Sequence, residues 1–557
     1  MGDVDNDLEE LMSHLGDFGK YQAWQFSLHV ISALTAGMHM MTLVTVAAVP
    51  DHRCAIPGVD ADNFTAHWNS SEVLDSIPKS ELGALDSCRI YGANGTTTDC
   101  DSWVYDTTYH RSSRGMEWNL VCSRRWMGAL AQSAYMIGVF TGAVTLGSLA
   151  DTHGRKKIFY ISSVLQMILG VSVALTPEYF SFLVLRFLYG VFGSAGAYIT
   201  GFVLSMEIVG PSKRTVCGIA FQAVFAVGVM LVAGWGAVIK DRMWLQIVYG
   251  LHSALLIGHW WLIDESPRWL WAQGRTKEAL AIIQKGLRMN GNDANVDVAR
   301  YVSQGKARES SRDERAYGIS DLFKTPNLRK KSVNVCLNWF ANSIAYYGLS
   351  LGTGSLKGNP FLMLFLFSLV ELPSYIVTVL LMDRTGRRSL ISTTMILGGL
   401  CCVTASYIPQ TDYRSVVVTI SMLGKAFIAS SFAIIYNYSA ELFPTVLRNT
   451  ALGVGSMCAR LSGAMTPLIM LLDSLDPRVP AAVFGCLALV SGFLALYLPE
   501  TLNQPMPQSL DDGEKFGVGD TCFTSCVRSR SAKDRGVYEV ALQDSDYKEI
   551  EKDTNQA

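Results

Sequence analysis

Twelve apolar stretches, near 23–49, 127–150, 158–176, 180–206, 215–239, 243–264, 332–353, 360–382, 389–408, 415–438, 450–472 and 480–498, punctuate this chain of 557 residues. Each has the roughly 20 residues that a helix needs to cross about 30 Å of hydrocarbon. In that medium a backbone must satisfy its own hydrogen bonds, so such runs fold as helices. The chain reads as an all-α membrane protein with twelve transmembrane helices. Half of its residues are hydrophobic and 17% are charged, against about a quarter charged in soluble chains. A formal net charge of −2 supplies no basic field of the kind that holds nucleic acid, which excludes DNA and RNA partners.

Lys and Arg crowd the connections 151–157, 211–214, 383–388 and 441–448 and the hydrophilic segment 265–331. These fall on one side if the spans alternate, and by the positive-inside rule that side is cytoplasmic. The expected organisation is a cytoplasmic N-terminus at 1–22, a six-helix bundle at 23–264, a cytoplasmic linker at 265–331, a second six-helix bundle at 332–498 and a cytoplasmic tail at 499–557. The acidic start, MGDVDNDLEE, lacks the basic n-region of a cleaved signal peptide, so the first span is expected to act as its own insertion signal. Asn6 stands where N-myristoylation of Gly2 calls for Ser or Thr, and that lipid is not expected.

Loop 50–126, inside the first bundle, is then extracytoplasmic. Its Cys54, Cys88, Cys100 and Cys122 are expected to form two disulfides, with three connectivities open. Its sequons at Asn63, Asn69 and Asn94 are expected to carry glycans, whereas a fourth at Asn437 falls in span 10 and should stay bare. Cys522 and Cys526 in the tail have no companion ligand pair, so they read as ordinary thiols rather than a metal site.

The two halves repeat each other. Asp151, Gly154 and Arg155 after span 2 recur as Asp383, Gly386 and Arg387 after span 8, an offset of 232. Glu207 precedes Arg214 by seven residues after span 4, and Glu441 precedes Arg448 by seven after span 10. Pro-flanked acidic exits follow span 6 (Glu265, Pro267) and span 12 (Pro499, Glu500). Six spans plus six in parallel repeat is the arrangement in which two bundles rock about a central site. In these loops Gly permits a tight turn, Asp can accept from backbone N–H groups of the next helix, and Arg can pair with Glu207 or Glu441. Pairs across the two bundles would hold one gating state and release in the other; the bland alternative makes these residues topology anchors only.

GSLADTHGRKK at 147–157 resembles the signature loop of the major facilitator superfamily. The large glycosylatable loop with Asp101, Trp103, Tyr105, Asp106, Glu117, Trp118 and Cys122, the segment DESPRWLWAQGR at 264–275, the run from Glu441 to Asn449 and LPETLN at 498–503 together resemble the organic cation, carnitine and organic anion transporter family. The resemblance covers nearly the whole chain apart from the termini. It implies the major facilitator fold, a small organic ion as substrate and a functional monomer in the cell membrane, with the coupling ion unknown. A sugar porter shares the PRWL-type exit but has no comparable first loop, and its Gln-rich span 7 signature is absent here.

Ionisable residues inside spans are expensive and mark function by default; Glu371, Lys425 and Arg460 fall near mid-depth in spans 8, 10 and 11. A mutual Glu371–Lys425 pair is the structural alternative, and Arg186 in span 4 reads as a structural anchor. Tyr198, Phe202, Trp339, Phe340, Tyr346 and Tyr347 can wall a pocket for apolar or quaternary-ammonium groups. The resemblance implies substrate-lining roles for Tyr198, Phe202, Gln222, Tyr346, Tyr347, Glu371 and Lys425. Arg460 departs from the cation carriers, which resemble this segment but have Asp there; the carnitine-type and organic-anion branches have Arg. A guanidinium suits a planar carboxylate and repels a bare cation. A carnitine- or betaine-like zwitterion is therefore the first expectation, an organic anion the second, and a non-transporting sensor on the same fold the third.

An enzyme is not expected. His29, His39, His252 and His259 are scattered on spans 1 and 6 as packing residues, no cluster has metal-ligand spacing, and the 147–157 loop is no P-loop. No metal or cofactor is expected. Thr35, His39 and Thr42 on span 1 can contribute to substrate or ion binding, with packing as the plainer role.

Overall fold

The computed structural model describes residues 2–56, 71–79, 85–92, 95–292, 318–356, 358–409, 413–502, 504 and 506–520. Among the described residues nine helices are long and apolar enough to cross a membrane: Lys20–Val46, Cys122–His153, Arg155–Leu175, Tyr179–Ile208, Pro211–Val238, Pro360–Thr385, Arg387–Tyr407, Arg414–Leu442 and Thr445–Ser474. They occupy the places of spans 1 to 5 and 8 to 11. The other three expected places are also helical, and each falls short for a visible reason. Span 12, Val479–Ala495, has 17 residues. Span 6 ends its regular helix, Arg242–Leu251, early and continues in the short turns Ala254–Ile257 and Gly258–Trp261. Span 7, Pro326–Leu351, starts well before 332, and Asn334, Asn338, Asn342 and Ser343 dilute its hydropathy. Most of those polar groups find partners inside the bundle: Asn338 Nδ2 donates to the Asn334 carbonyl at 3.0 Å and Ser343 Oγ to that of Ala459 at 2.6 Å, while Asn338 Oδ1 is buried without one.

Two irregular helices shape the centre. Span 4 is α-helical over Tyr179–Gly190, π-helical over Val191–Ile199 and α-helical again over Thr200–Ile208. Its wide turns are built largely of small residues (Gly193, Ser194, Ala195, Gly196, Ala197), and such π segments gather at functional sites. Span 8 breaks between Pro360–Leu369 and Glu371–Thr385. Pro373 lacks an N–H for the Leu369 carbonyl and its ring crowds that turn, which leaves Glu371 at the head of the second piece. Spans 2 and 11 and spans 5 and 8 pack directly against each other across the midline. Spans 1 and 5 approach so closely that a Cβ on Gly37 would strike the Phe225 carbonyl, and one on Gly228 that of Leu34.

The loop after span 1 holds two antiparallel pairs, β1 (His52–Cys54) with β4 (Trp103–Tyr105) and β2 (Arg89–Tyr91) with β3 (Thr97–Asp99). Cys54 is bonded to Cys100 and Cys88 to Cys122, which selects one of the three open connectivities. Buried Arg114 fastens the loop to the bundle: Nη1 pairs with Glu117 at 2.7 Å, and Nη2 reaches the Ala174 carbonyl and Thr176 Oγ1, both at 3.1 Å.

Asn63, Asn69, Asn94, Cys522 and Cys526 lie outside the described residues. Asn437 sits within Arg414–Leu442, its Nδ2 donating to the Ala433 carbonyl at 3.1 Å. Mass spectrometry after endoglycosidase treatment of protein from a eukaryotic host should find glycans at Asn63, Asn69 and Asn94 and none at Asn437. A glycan on Asn437 would invert the topology.

On the opposite face, Gly2–Leu15 and Thr276–Asn290 pack beneath span 1 through Leu11, Tyr21, Leu280 and Ile283. The short helix Leu510–Lys515 docks beneath span 7, where the Glu514 carboxylate accepts from the N–H groups of Asn327 at 2.8 Å and Leu328 at 2.9 Å. Both ends of the described chain thus lie on the face that carries the repeated Asp/Gly/Arg loops.

Candidate functional site

Between the two halves lies a largely aromatic cavity, a concave central site of the kind that takes small molecules. Spans 1, 4 and 5 supply Met40, Ser194, Tyr198, Gln222 and Phe225 from one side; spans 7, 8, 10 and 11 supply Tyr346, Tyr347, Tyr375, Phe432, Tyr436 and Arg460, among others, from the other. Of the ten substrate residues expected from sequence, Tyr198, Gln222, Tyr346, Tyr347 and Arg460 line it.

The other five do not, for reasons of packing. Phe202 stacks on Phe221 and Tyr436 one turn toward the opposite face. Trp339 is fully buried, donates its indole N–H to Ser439 Oγ at 3.0 Å and supports Phe432 and Tyr436 from behind. Phe340 packs into the core of the second half. Glu371 and Lys425 stand behind the wall: Lys425 Nζ is 3.2 Å from Glu371 Oε1, 2.5 Å from Ser350 Oγ and 3.2 Å from the Tyr346 carbonyl. The Glu371 carboxylate also accepts from the hydroxyls of Tyr346 and Tyr375, each at 3.0 Å. The mutual pair is therefore what forms, and an ammonium in the cavity meets tyrosine rings before it meets Glu371.

Tyr375 and Tyr436 are two of the lining residues that sequence reasoning missed, alongside Met40, Ser194, Phe225 and Phe432. Tyr375 had a signal, standing one helical turn after Glu371; Tyr436 had none, since one aromatic in a span looks like another.

Arg460 is the single charged lining residue among the described ones. It forms no ion pair there, and its Nε is buried with no hydrogen-bond partner. The phenols of Tyr198, Tyr347 and Tyr436 lie within its electrostatic reach. Because Glu371 and Lys425 neutralise each other, the cavity keeps a net positive character set by this guanidinium. Such a group offers five donors in a fork that fits a carboxylate.

The repeated loops have matching geometry in the two halves. Gly154 (φ 106°) and Gly386 (φ 87°) take backbone conformations that L side chains rarely adopt, which explains the tight turns. Arg155 pairs with Asp151 at 3.1 Å and with Glu207; Arg387 pairs with Asp383 at 3.3 Å and with Glu441 at 3.0 Å. Each of these pairs stays inside its own half.

The next helix is not capped by Asp either. Glu265 from the exit of span 6 accepts from Lys156 N at 3.1 Å, and Glu500 from the exit of span 12 accepts from Arg387 N at 2.8 Å and Arg388 N at 3.2 Å. A carboxylate is well placed at those positive helix ends. Arg214 donates Nε to the Val209 carbonyl at 3.2 Å, and Arg448 reaches Met506 Sδ at 3.4 Å. Across the midline an ion pair forms on the disulfide-loop side, Arg125 to Asp473 at 2.7 Å.

Residues this far from the cavity can act only on the balance between conformations. Arg155→Ala or Arg387→Ala is therefore expected to slow turnover about tenfold or more while ligand affinity changes less than about threefold, with each 1.4 kcal/mol worth a factor of ten. Exchange rates and equilibrium binding on the same purified protein check this; lost binding with unchanged turnover would refute it.

Residues 88–509 match the model of the sugar (and other) transporter family. The chain is 37% identical over 531 residues to an organic cation transporter protein of Drosophila melanogaster, covering 91% of this chain and 95% of that one. It is 31% identical over 539 residues to solute carrier family 22 member 16 of Homo sapiens, covering 91% and 93%. Among solved structures it resembles the inward open xylose transporter XylE from E. coli (TM-score 0.58, 15% identity, 88% of this chain and 98% of that one). It also resembles the human organic anion transporter MFSD10 (TM-score 0.53, 14% identity, 85% and 99%). At such identities these two likenesses speak for the fold alone.

Proposed function

The chain belongs to the sugar (and other) transporter family and, within it, to solute carrier family 22, and from that premise we propose that it carries small organic ions across a membrane by alternating access of the central cavity, with carboxylate-bearing solutes favoured. It is a multi-pass membrane transporter with the major facilitator fold. The observation that carries the substrate reading is Arg460, a cavity-lining guanidinium with no ionic partner among the described residues, opposite a wall of aromatic rings.

A carboxylate is the natural partner of that fork. Tyr347, Phe432 and Tyr436 supply rings to a trimethylammonium group, an attraction worth about 0.5–2 kcal/mol each according to exposure. A carnitine- or betaine-like zwitterion uses both features. It also fits relatives named for organic cations better than a simple anion does. The second reading, an organic anion, draws on the net positive character of the cavity.

The protein works as a monomer in the cell membrane with both termini cytoplasmic, and Asp151, Arg155, Asp383 and Arg387 with their glutamate partners tune the gating equilibrium. Competition uptake in expressing cells with carnitine, choline, tetraethylammonium and para-aminohippurate tests the reading. Carnitine should compete best; inhibition by tetraethylammonium alone would move the assignment to a simple cation. Uptake that does not saturate for any of the four would favour a sensor.

A further inference from the structure

The first half contains a buried charge that the cavity geometry does not use. Arg186, near the end of the first α-helical piece of span 4, is 0% exposed. Its Nη1 donates to Thr42 Oγ1 at 3.1 Å and its Nη2 to Gln132 Oε1 at 3.2 Å, while Nε is buried without a partner. Its Cζ lies 4.5 Å from the ring centre of Tyr135 and 6.0 Å from that of Tyr189.

None of these neighbours is acidic. Indeed, no Asp or Glu occurs in the membrane-crossing stretches 20–46, 125–150, 155–175, 179–206, 214–238 and 242–261. A guanidinium does not shed its proton to escape this environment, and in a low-dielectric interior an uncompensated charge is felt well beyond contact.

The charge sits one side-chain layer behind the cavity by two routes. The Tyr135 hydroxyl, on the ring that Arg186 covers, is 2.7 Å from Ser194 Oγ, and Ser194 lines the cavity. Gln132, which accepts from Arg186, donates Nε2 to the carbonyl of Met40 at 3.3 Å, and Met40 lines the cavity as well. In the second half Glu371 and Lys425 cancel each other behind the opposite wall. The field in the cavity is thus the sum of Arg460 at its surface and Arg186 behind it.

We propose that Arg186 is a specificity-determining residue that acts without touching the solute: its unneutralised charge favours carboxylate-bearing solutes in the cavity and disfavours bare cations. The proposal rests on the reading of the cavity as an organic-ion site. It departs from the sequence reading of Arg186 as an anchor, because an anchor needs hydrogen bonds and shape, whereas this role needs charge.

Glycine betaine and choline make the test, since both carry a trimethylammonium group and differ in a carboxylate against a hydroxyl. Their half-saturation constants would be measured for wild type, Arg186→Gln and Thr42→Asp, each normalised to surface abundance. Thr42→Asp leaves Arg186 in place and sets a neutralising carboxylate beside its Nη1. In Arg186→Gln and Thr42→Asp the preference for betaine over choline should fall at least about fivefold.

Equal changes for both solutes in Arg186→Gln would overturn the proposal. If Arg186→Gln fails to reach the surface, Thr42→Asp decides, and an unchanged preference there overturns it too. Choline affinity taken alone separates this proposal from the carboxylate reading. It should rise when the repulsive charge is removed even if betaine is not a substrate, and a choline affinity that does not rise counts against Arg186 only.

Discussion

Arg460→Asp is expected to cut uptake of betaine or carnitine by at least about tenfold, roughly 1.4 kcal/mol, while uptake of choline is spared or improved. The substitution removes a charge-assisted contact to the carboxylate and adds repulsion in its place. Arg460→Lys should recover little, because it keeps the charge without the planar fork. The prediction rests on geometry: Arg460 lines the cavity and has no carboxylate partner among the described residues, which leaves its charge open to one carried by the solute. A structural Arg460 behaves differently, since its loss would lower surface abundance and depress both solutes alike. Initial rates of betaine and choline uptake, divided by surface protein, distinguish the two cases.

Lys425→Met should have a comparable effect on the protein itself. Lys425 and Glu371 are each 2% exposed and meet at 3.2 Å, and removing one member of such a pair strands a buried charge at a cost of about 3–5 kcal/mol. Mature protein at the surface should fall to near background. The double variant Lys425→Met with Glu371→Gln removes both charges, and the Gln carbonyl can still accept from Tyr346 and Tyr375. It should regain most of the surface expression and of the thermal stability in detergent. Equal loss in single and double variants would mean that one of the charges has a task of its own, such as meeting the solute.

The fold was legible in the sequence because hydrocarbon leaves a backbone so few options. Runs of twenty apolar residues announce helices, and the repeat of Asp151, Gly154 and Arg155 as Asp383, Gly386 and Arg387 announces two related halves. The places where reading fell short are irregular. Pro373 was visible, but that it would split span 8 just before Glu371 depends on packing around it; the π turns of Val191–Ile199 leave no periodic signature at all.

The site was half legible for a related reason. Charge in a span is rare enough to notice, so Arg460, Glu371 and Lys425 stood out, but sequence does not say which of three charges will find each other. Glu371 and Lys425 did, and withdrew behind Tyr346 and Tyr375; Arg460 did not. Aromatics are common in spans, and only the side to which each helix turns separates Tyr436 in the wall from Trp339 behind it. The loop residues taught a similar lesson. Asp151 and Asp383 were well placed in sequence to cap the next helix, yet Glu265 and Glu500, more than a hundred residues further on, do so in the fold.

The central claim is that this chain moves a carboxylate-bearing organic ion through one saturable site. Purified wild-type protein in proteoliposomes, with radiolabelled betaine and choline supplied separately to one side, measures it without other carriers present. The account predicts saturable betaine flux, blocked by excess unlabelled carnitine and exceeding choline flux at equal concentration. Saturable choline flux with no betaine flux above protein-free vesicles would contradict it.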